Sequence, residues 1–126
     1  MKETELDITT LSAGALSYFG DAVLEILTRK RLLESGIGDA GELNRMARQY
    51  VTAASQSVGY EKIKEMLSEE EDHYFKRGRN HKASVPKSAS VAEYRKATGM
   101  ESLFAYLYLS GKHERMQELF DRAFGE

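Results

Sequence analysis

Residues 97–111, ATGMESLFAYLYLSG, carry one charge in fifteen positions, Glu101. Met100, Leu103, Phe104, Leu107, Tyr108 and Leu109 leave no polar face when wound into a helix. A helix that is apolar all round belongs in an interior. Ser90 supplies an N-cap upstream, and Gly111 supplies the glycine that follows a helix end. A central helix of this kind needs amphipathic neighbours, and the rest of the chain provides them. Three-to-four periodicity recurs, strand-like alternation is hard to find, and Pro86 is the only proline. The expected fold is all-α, with residues 1–126 forming one helical domain.

Upstream, a first helix is expected over about 11–34. Leu16, Phe19, Val23, Ile26 and Leu27 share its apolar face, and Gly36 and Gly38 end it. Gly41 precedes a second helical pattern with Leu43, Met46, Ala47 and Tyr50 on one side. A third helix is expected from after Thr52 to about Leu67. Ser68 and Glu71 have capping-box spacing for a fourth, which carries Tyr74 and Phe75. The last amphipathic helix is expected over 112–124, with Met116, Leu119, Phe120 and Phe124 inward.

Composition narrows the chemistry. A chain of 126 residues with 41% hydrophobic and 30% charged positions forms a core without staples. There is no cysteine, which excludes disulfides, thiolate zinc sites and cysteine nucleophiles and suits a reducing, cytoplasmic setting. The acidic opening, MKETELD, is followed by no apolar core of a signal peptide. Net charge is −2, so any nucleic-acid partner must be held by a local basic patch.

Two windows are almost free of charge. Residues 8–24 contain only Asp21, and residues 97–111 only Glu101. Asp21 directly follows Gly20, and Glu101 lies two residues after Gly99. Small residues beside a carboxylate let another backbone or a substrate approach. If the two helices cross there, the acids share a proton or a cation. Oxygen-only ligation suits Mg²⁺, with Mn²⁺ as a substitute, better than zinc. Glu25, one turn beyond Asp21, is a candidate outer ligand. The plain alternatives are an exposed Asp21 on a polar face, and Glu101 in an ion pair with Arg95 or Lys96.

The second chemical feature is basic. Residues 77–90, RGRNHKASVPKSAS, contain glycine, proline and small polar residues, and no acid occurs between Lys76 and Ala92. A loop is expected here. Arg77, Arg79, Asn80, Lys82 and Lys87 are candidate phosphate contacts, since phosphate oxygens take charge and hydrogen bonds without base reading. The alternative is a solvated loop that balances the acidic run Glu69–Asp72. His73, His81 and His113 read as surface residues.

Together these stretches resemble a known family. Tyr18-Phe19-Gly20-Asp21-Ala22-Val23-Leu24-Glu25 is similar to the signature of ribonuclease III catalytic domains. The segment from Tyr94 to Leu109 resembles that family's second acidic helix. Lys76-Arg77-Gly78-Arg79-Asn80 and Val51-Thr52-Ala53-Ala54-Ser55-Gln56 resemble motifs of its compact bacterial branch, Mini-ribonuclease III, which lacks a double-stranded-RNA-binding domain. Where longer members carry further acids, this chain has Gly14, Ser17 and Thr98, losses the compact branch shares.

The resemblance implies a ribonuclease III catalytic domain over residues 1–126, with Asp21 and Glu101 as catalytic, Mg²⁺-binding acids. It implies hydrolysis of phosphodiesters in double-stranded RNA, leaving 5′-phosphate and 3′-hydroxyl ends. It also implies a homodimer, since each site cuts one strand. Leu11, Ala15, Leu16 and Phe19 are a candidate seam. The substrate implied is precursor large-subunit (23S) ribosomal RNA, placing the protein in ribosome biogenesis. The alternative is a non-catalytic helical RNA-binding or ribosome-assembly protein on the same fold. A helical nucleotide hydrolase fits less well, because Glu65 and the Glu69–Asp72 run sit beside a cap and outside any apolar context.

Overall fold

The computed structural model describes residues 6–81 and 90–125. Among these residues six helices run in chain order: α1 (Ala13–Glu34), α2 (Ala40–Val51), α3 (Ala53–Ile63), α4 (Glu69–Arg79), α5 (Val91–Leu109) and α6 (His113–Phe124). Two short 3₁₀ turns, Ile8–Thr10 and Lys64–Met66, complete the set, and no strand occurs among the described residues. Most helix starts follow local chemistry. Ser12, Asp39, Thr52, Ser68 and Ser90 each accept a hydrogen bond from a backbone N–H of the first turn. Ser68 and Glu71 form a full capping box. Gly36 and Gly111, at φ +91° and +72°, adopt the left-handed conformation that ends α1 and α5.

Helix α5 is the axis of the domain and packs against α1, α3, α4 and α6. Met100, Leu103, Phe104 and Leu107 are wholly buried in it. They meet Leu16, Val23 and Leu27 of α1, Phe75 of α4, and Leu119 and Phe120 of α6 in one core. Tyr60 stacks on Phe75, with ring centroids 3.8 Å apart, and so joins α3 to α4. Buried Glu71 is satisfied by two guanidinium N–H groups of Arg115, each at 2.9 Å, and by the Ser68 backbone N–H at 2.8 Å. Burial raises the Glu71 carboxyl, but these donors more than offset it and leave the group below its usual range.

Some boundaries and faces differ from expectation. Asp39 caps α2, so Gly41 lies inside its first turn rather than ahead of it. Helix α3 stops at Ile63, and the chain reaches Ser68 through the second 3₁₀ turn. Ile26 was expected on the buried face of α1, yet it is 60% exposed, and Tyr108 is 40% exposed at the edge of α5. Leu16, a candidate seam residue, has no exposed surface, and Leu11 and Phe19 pack against the core. The expected loop over 77–90 also begins later. Helix α4 runs through Arg77, Gly78 and Arg79. Its four first-turn acids and three last-turn cations match the helix dipole at both ends, which favours continuation.

Candidate active site

The site is made by the crossing of α1 and α5. A Cβ built on Gly20 would fall on the Glu101 carbonyl oxygen, so only glycine permits this approach. On the far side of α5, a Cβ on Gly78 would reach within 2.6 Å of the Ser102 Cβ and closer still to the Thr98 carbonyl. A Cβ on Gly99 would meet the Phe75 ring at 2.5–2.8 Å. Three glycines thus pull α1, α5 and α4 together around one turn of α5. Two hydroxyls fasten that turn. Ser17 donates to the Thr98 carbonyl at 3.3 Å, and Ser102 donates to the Tyr74 carbonyl at 2.7 Å.

This crossing brings Asp21 and Glu101 face to face. Both line a cleft of about 250 Å³ together with Ser17, Tyr18, His81 and Tyr94. Asp21 is exposed at the rim and Glu101 is half-buried behind it. Burial, then the Asp21 charge, then a hydrogen-bonding contact with the Asp21 carboxyl push Glu101 up to about 8. A carboxyl in that state is short of a positive partner. No protein cation supplies one among the described residues. Lys96, a candidate partner of Glu101, instead binds Glu61 at 2.6 Å. Glu25, the candidate outer ligand, turns to Arg29 at 3.2 Å and does not line the cleft.

The donor set suits a hard divalent cation. Two carboxylates with room for water and phosphate oxygens match the way Mg²⁺ is usually bound. Among the described residues no group of three or more His, Asp or Glu side chains is placed to hold a metal. Asp21 and Glu101 are thus the two candidate protein ligands in the cleft. A much larger open groove, about 1180 Å³, lies between the end of α3 and α6. Two of its acids are engaged elsewhere, Glu118 with Arg115 and Asp121 with Arg31, and it has no facing pair of carboxyls.

Comparison with known proteins gives the family to which this fold belongs. The family model described as the ribonuclease III domain matches residues 14–112, from the first turn of α1 to just past α5. The chain belongs to the ribonuclease III family. Within it, the similarity runs to the Mini-ribonuclease 3 branch. The chain is 43% identical to Mini-ribonuclease 3 of Symbiobacterium thermophilum over 115 residues, covering 90% of this chain and 88% of that protein. It is also 43% identical to Mini-ribonuclease 3 of Enterococcus faecalis over 118 residues, covering 91% and 89%. A crystal structure of a Fusobacterium nucleatum protein superposes with a TM-score of 0.82 at 35% identity, covering 91% of this chain and 93% of that one. The all-α architecture expected from the sequence is therefore that of the ribonuclease III domain.

The basic candidates separate in the structure. Arg77 and Arg79 lie on the last turn of α4, with Asn80 as its C-cap. Arg77 is turned inward: its guanidinium donates to the Leu11 carbonyl at 2.6 Å and lies 5.7 Å from the centre of the Tyr74 ring. It ties α4 to the start of α1. Arg79 donates to the Asn80 side-chain oxygen at 3.2 Å and stays half-exposed. Lys82 and Lys87 lie outside the described residues. Of the three histidines, His73 and His113 are exposed and pack edge-on against Tyr74 and Tyr108. His81, read from sequence as a surface residue, lines the cleft instead.

Proposed function

We propose that this ribonuclease III family member is a Mg²⁺-dependent endoribonuclease that cuts double-stranded RNA as a cytoplasmic homodimer. The pairing of Asp21 with Glu101 carries the reading. Asp21 at the rim and Glu101 behind it would hold Mg²⁺, with Mn²⁺ as a substitute. Bound there, the ion supplies Lewis-acid polarisation of the phosphate and a lowered pKa for the attacking water. The chain's own contribution is placement. Gly20 fixes the spacing of the acids, and the Ser17 and Thr98 hydroxyls are both committed to backbone carbonyls, holding the α5 turn still. Half-burial of Glu101 keeps bulk water off one side of the site and strengthens the hold on a cation.

RNA would run from this cleft toward the C-terminal end of α4. A-form duplexes are read by shape through a shallow minor groove, which suits cations and amides at a helix end. Arg79 and Asn80 are the candidate contacts among the described residues, with Lys82 and Lys87 continuing the basic run in sequence. Ala15, Tyr18, Ala22 and Ile26 form an exposed apolar stripe along α1, with Tyr18 at 84% and Ile26 at 60%. This stripe supports a two-fold seam that would place a second site on the opposite strand. Of the seam expected at Leu11, Ala15, Leu16 and Phe19 it keeps Ala15, since the other three lie in or against the core. The absence of cysteine suits the cytoplasm. Precursor 23S ribosomal RNA as the substrate rests on the family resemblance.

Incubation of the purified chain with long duplex RNA should yield discrete fragments with Mg²⁺ and none with EDTA. Binding without cutting under both conditions would favour the second reading, a non-catalytic RNA-binding protein, which the small set of acids supports. The RNA path has its own test. Arg79→Ala should weaken duplex binding and reduce the slope of log K against log salt by roughly 0.7–0.9, the effect of one lost phosphate contact. Filter binding across a salt series reads that slope, and an unaltered slope would move the path away from α4.

A further inference from the structure

The cleft contains one nitrogen-bearing side chain, and neither the family assignment nor the carboxylate pair explains it. His81 follows the end of α4, where its backbone N–H donates to the Gly78 carbonyl at 3.1 Å. The ring is thereby turned back across the first turn of α1. Gly14 leaves the space for it: Cε1 and Nε2 of His81 lie 3.3 Å from where a Cβ on Gly14 would stand. The imidazole thus fills a wall of the same cleft that holds Asp21 and Glu101.

Donor accounting gives that wall a purpose. A phosphate seated beside two ionised carboxylates that hold a cation gains no hydrogen bond from them and needs donors from another direction. The Ser17 hydroxyl already donates to the Thr98 carbonyl, and the Thr98 hydroxyl to the Tyr94 carbonyl, which leaves the His81 ring as the one nitrogen donor among the described side chains of the cleft, beside the phenolic hydroxyls of Tyr18 and Tyr94. Among the described residues, no protein group hydrogen-bonds the His81 ring. Its position also joins the carboxylate pair to Arg79 and Asn80, so a strand leaving the cleft toward α4 passes it. We propose that the His81 imidazole is a substrate-contacting residue, donating to a backbone phosphate oxygen of the RNA strand held against Asp21 and Glu101. This rests on the nuclease reading for the identity of the ligand.

The test compares His81→Ala, His81→Phe and His81→Gln in the full chain. Duplex RNA binding is measured in EDTA, steady-state cleavage in Mg²⁺, and thermal unfolding for each variant. His81→Ala should weaken binding and raise KM by roughly tenfold, the effect of losing one hydrogen bond to a charged group. His81→Phe, which keeps a ring over Gly14 but has no donor, should lose as much. His81→Gln, which restores an N–H, should recover most of the binding. Wild-type constants for His81→Ala would overturn the proposal. So would recovery by His81→Phe, which would make the residue a packing element on Gly14. Failure of the wild-type chain to cut in Mg²⁺ would overturn the nuclease reading, while the EDTA binding series still reads the His81 contact.

Discussion

Asp21→Asn and Glu101→Gln should each reduce Mg²⁺-dependent cleavage by roughly a thousandfold or more, since a metal-ion contribution of several kcal/mol converts to that at about 1.4 kcal/mol per tenfold. Duplex binding in EDTA should persist in both. The structure adds a second expectation that separates Glu101→Gln from a merely damaging change. In the metal-free protein Glu101 is pushed up to about 8, by burial first and then by Asp21. In the unfolded chain an ordinary glutamate ionises near 4.3. Below that pH both states hold the proton and there is no penalty. As pH rises from there toward 8 the unfolded state loses its proton while the folded state keeps it, so the native state becomes progressively less stable. The full penalty, on the order of a few kcal/mol, is present above about pH 8. Glutamine never ionises and escapes it. Glu101→Gln should therefore melt roughly 5 °C or more above the wild type in EDTA at pH 8–9, and the gap should close near pH 4. Mg²⁺ should raise the melting temperature of the wild type and leave that of the variant in place. Calorimetry at the two pH values checks this. Retained cleavage by either variant, or a Glu101→Gln protein that melts lower at high pH, would remove the carboxylate pair from the mechanism.

Much of this site can be read before any fold is known, because its signal is local. Two windows nearly empty of charge identify Asp21 and Glu101, and the adjoining Gly20 and Gly99 mark where backbones approach closely. Helix ends are equally local. The Ser68–Glu71 box and the left-handed Gly36 and Gly111 lie where side-chain and backbone chemistry alone put them. What escapes such a reading depends on contacts between distant segments. Gly78 looks like a helix breaker, yet it lies inside α4 because the Thr98 turn of α5 packs where its side chain would be. Arg77 looks like a solvated phosphate ligand, yet its partner is the Leu11 carbonyl, 66 residues away. His81 looks like a surface residue in a basic run. Its place in the cleft requires α4 to end two residues earlier and Gly14, in the first turn of α1, to leave room. Ile26 satisfies the helical period of α1 but lies beyond the reach of its neighbours, so the pattern misassigns it.

Gly20→Ala should be among the most destabilising single methyl additions available to this protein. Helix interiors normally gain from this exchange, by about 1 kcal/mol, because alanine is the better helix former. Here the added carbon would land on the Glu101 carbonyl oxygen, which is backbone and has no rotamer through which to retreat. Helices α1 and α5 would have to separate, and theirs is one of the two most extensive helix pairings of the domain, with Leu16, Val23, Leu103 and Phe104 in the shared core. Overpacking of this kind costs about 1–3 kcal/mol when side chains can shift, and more when a backbone must move. The expected result is a net loss of about 3 kcal/mol or more, read as a lower urea midpoint with an unaltered slope. Because the same crossing sets the distance between Asp21 and Glu101, whatever protein still folds should also have lost cleavage, and its Glu101 carboxyl should titrate closer to an ordinary glutamate as Asp21 moves away. Gly38→Ala serves as the control: a Cβ there meets nothing within 4 Å, and the variant should fold and cut as the wild type does. Equal stability of the Gly20→Ala and Gly38→Ala proteins would show that α1 and α5 do not approach at Gly20. The basis for placing the two acids in one site would then be gone.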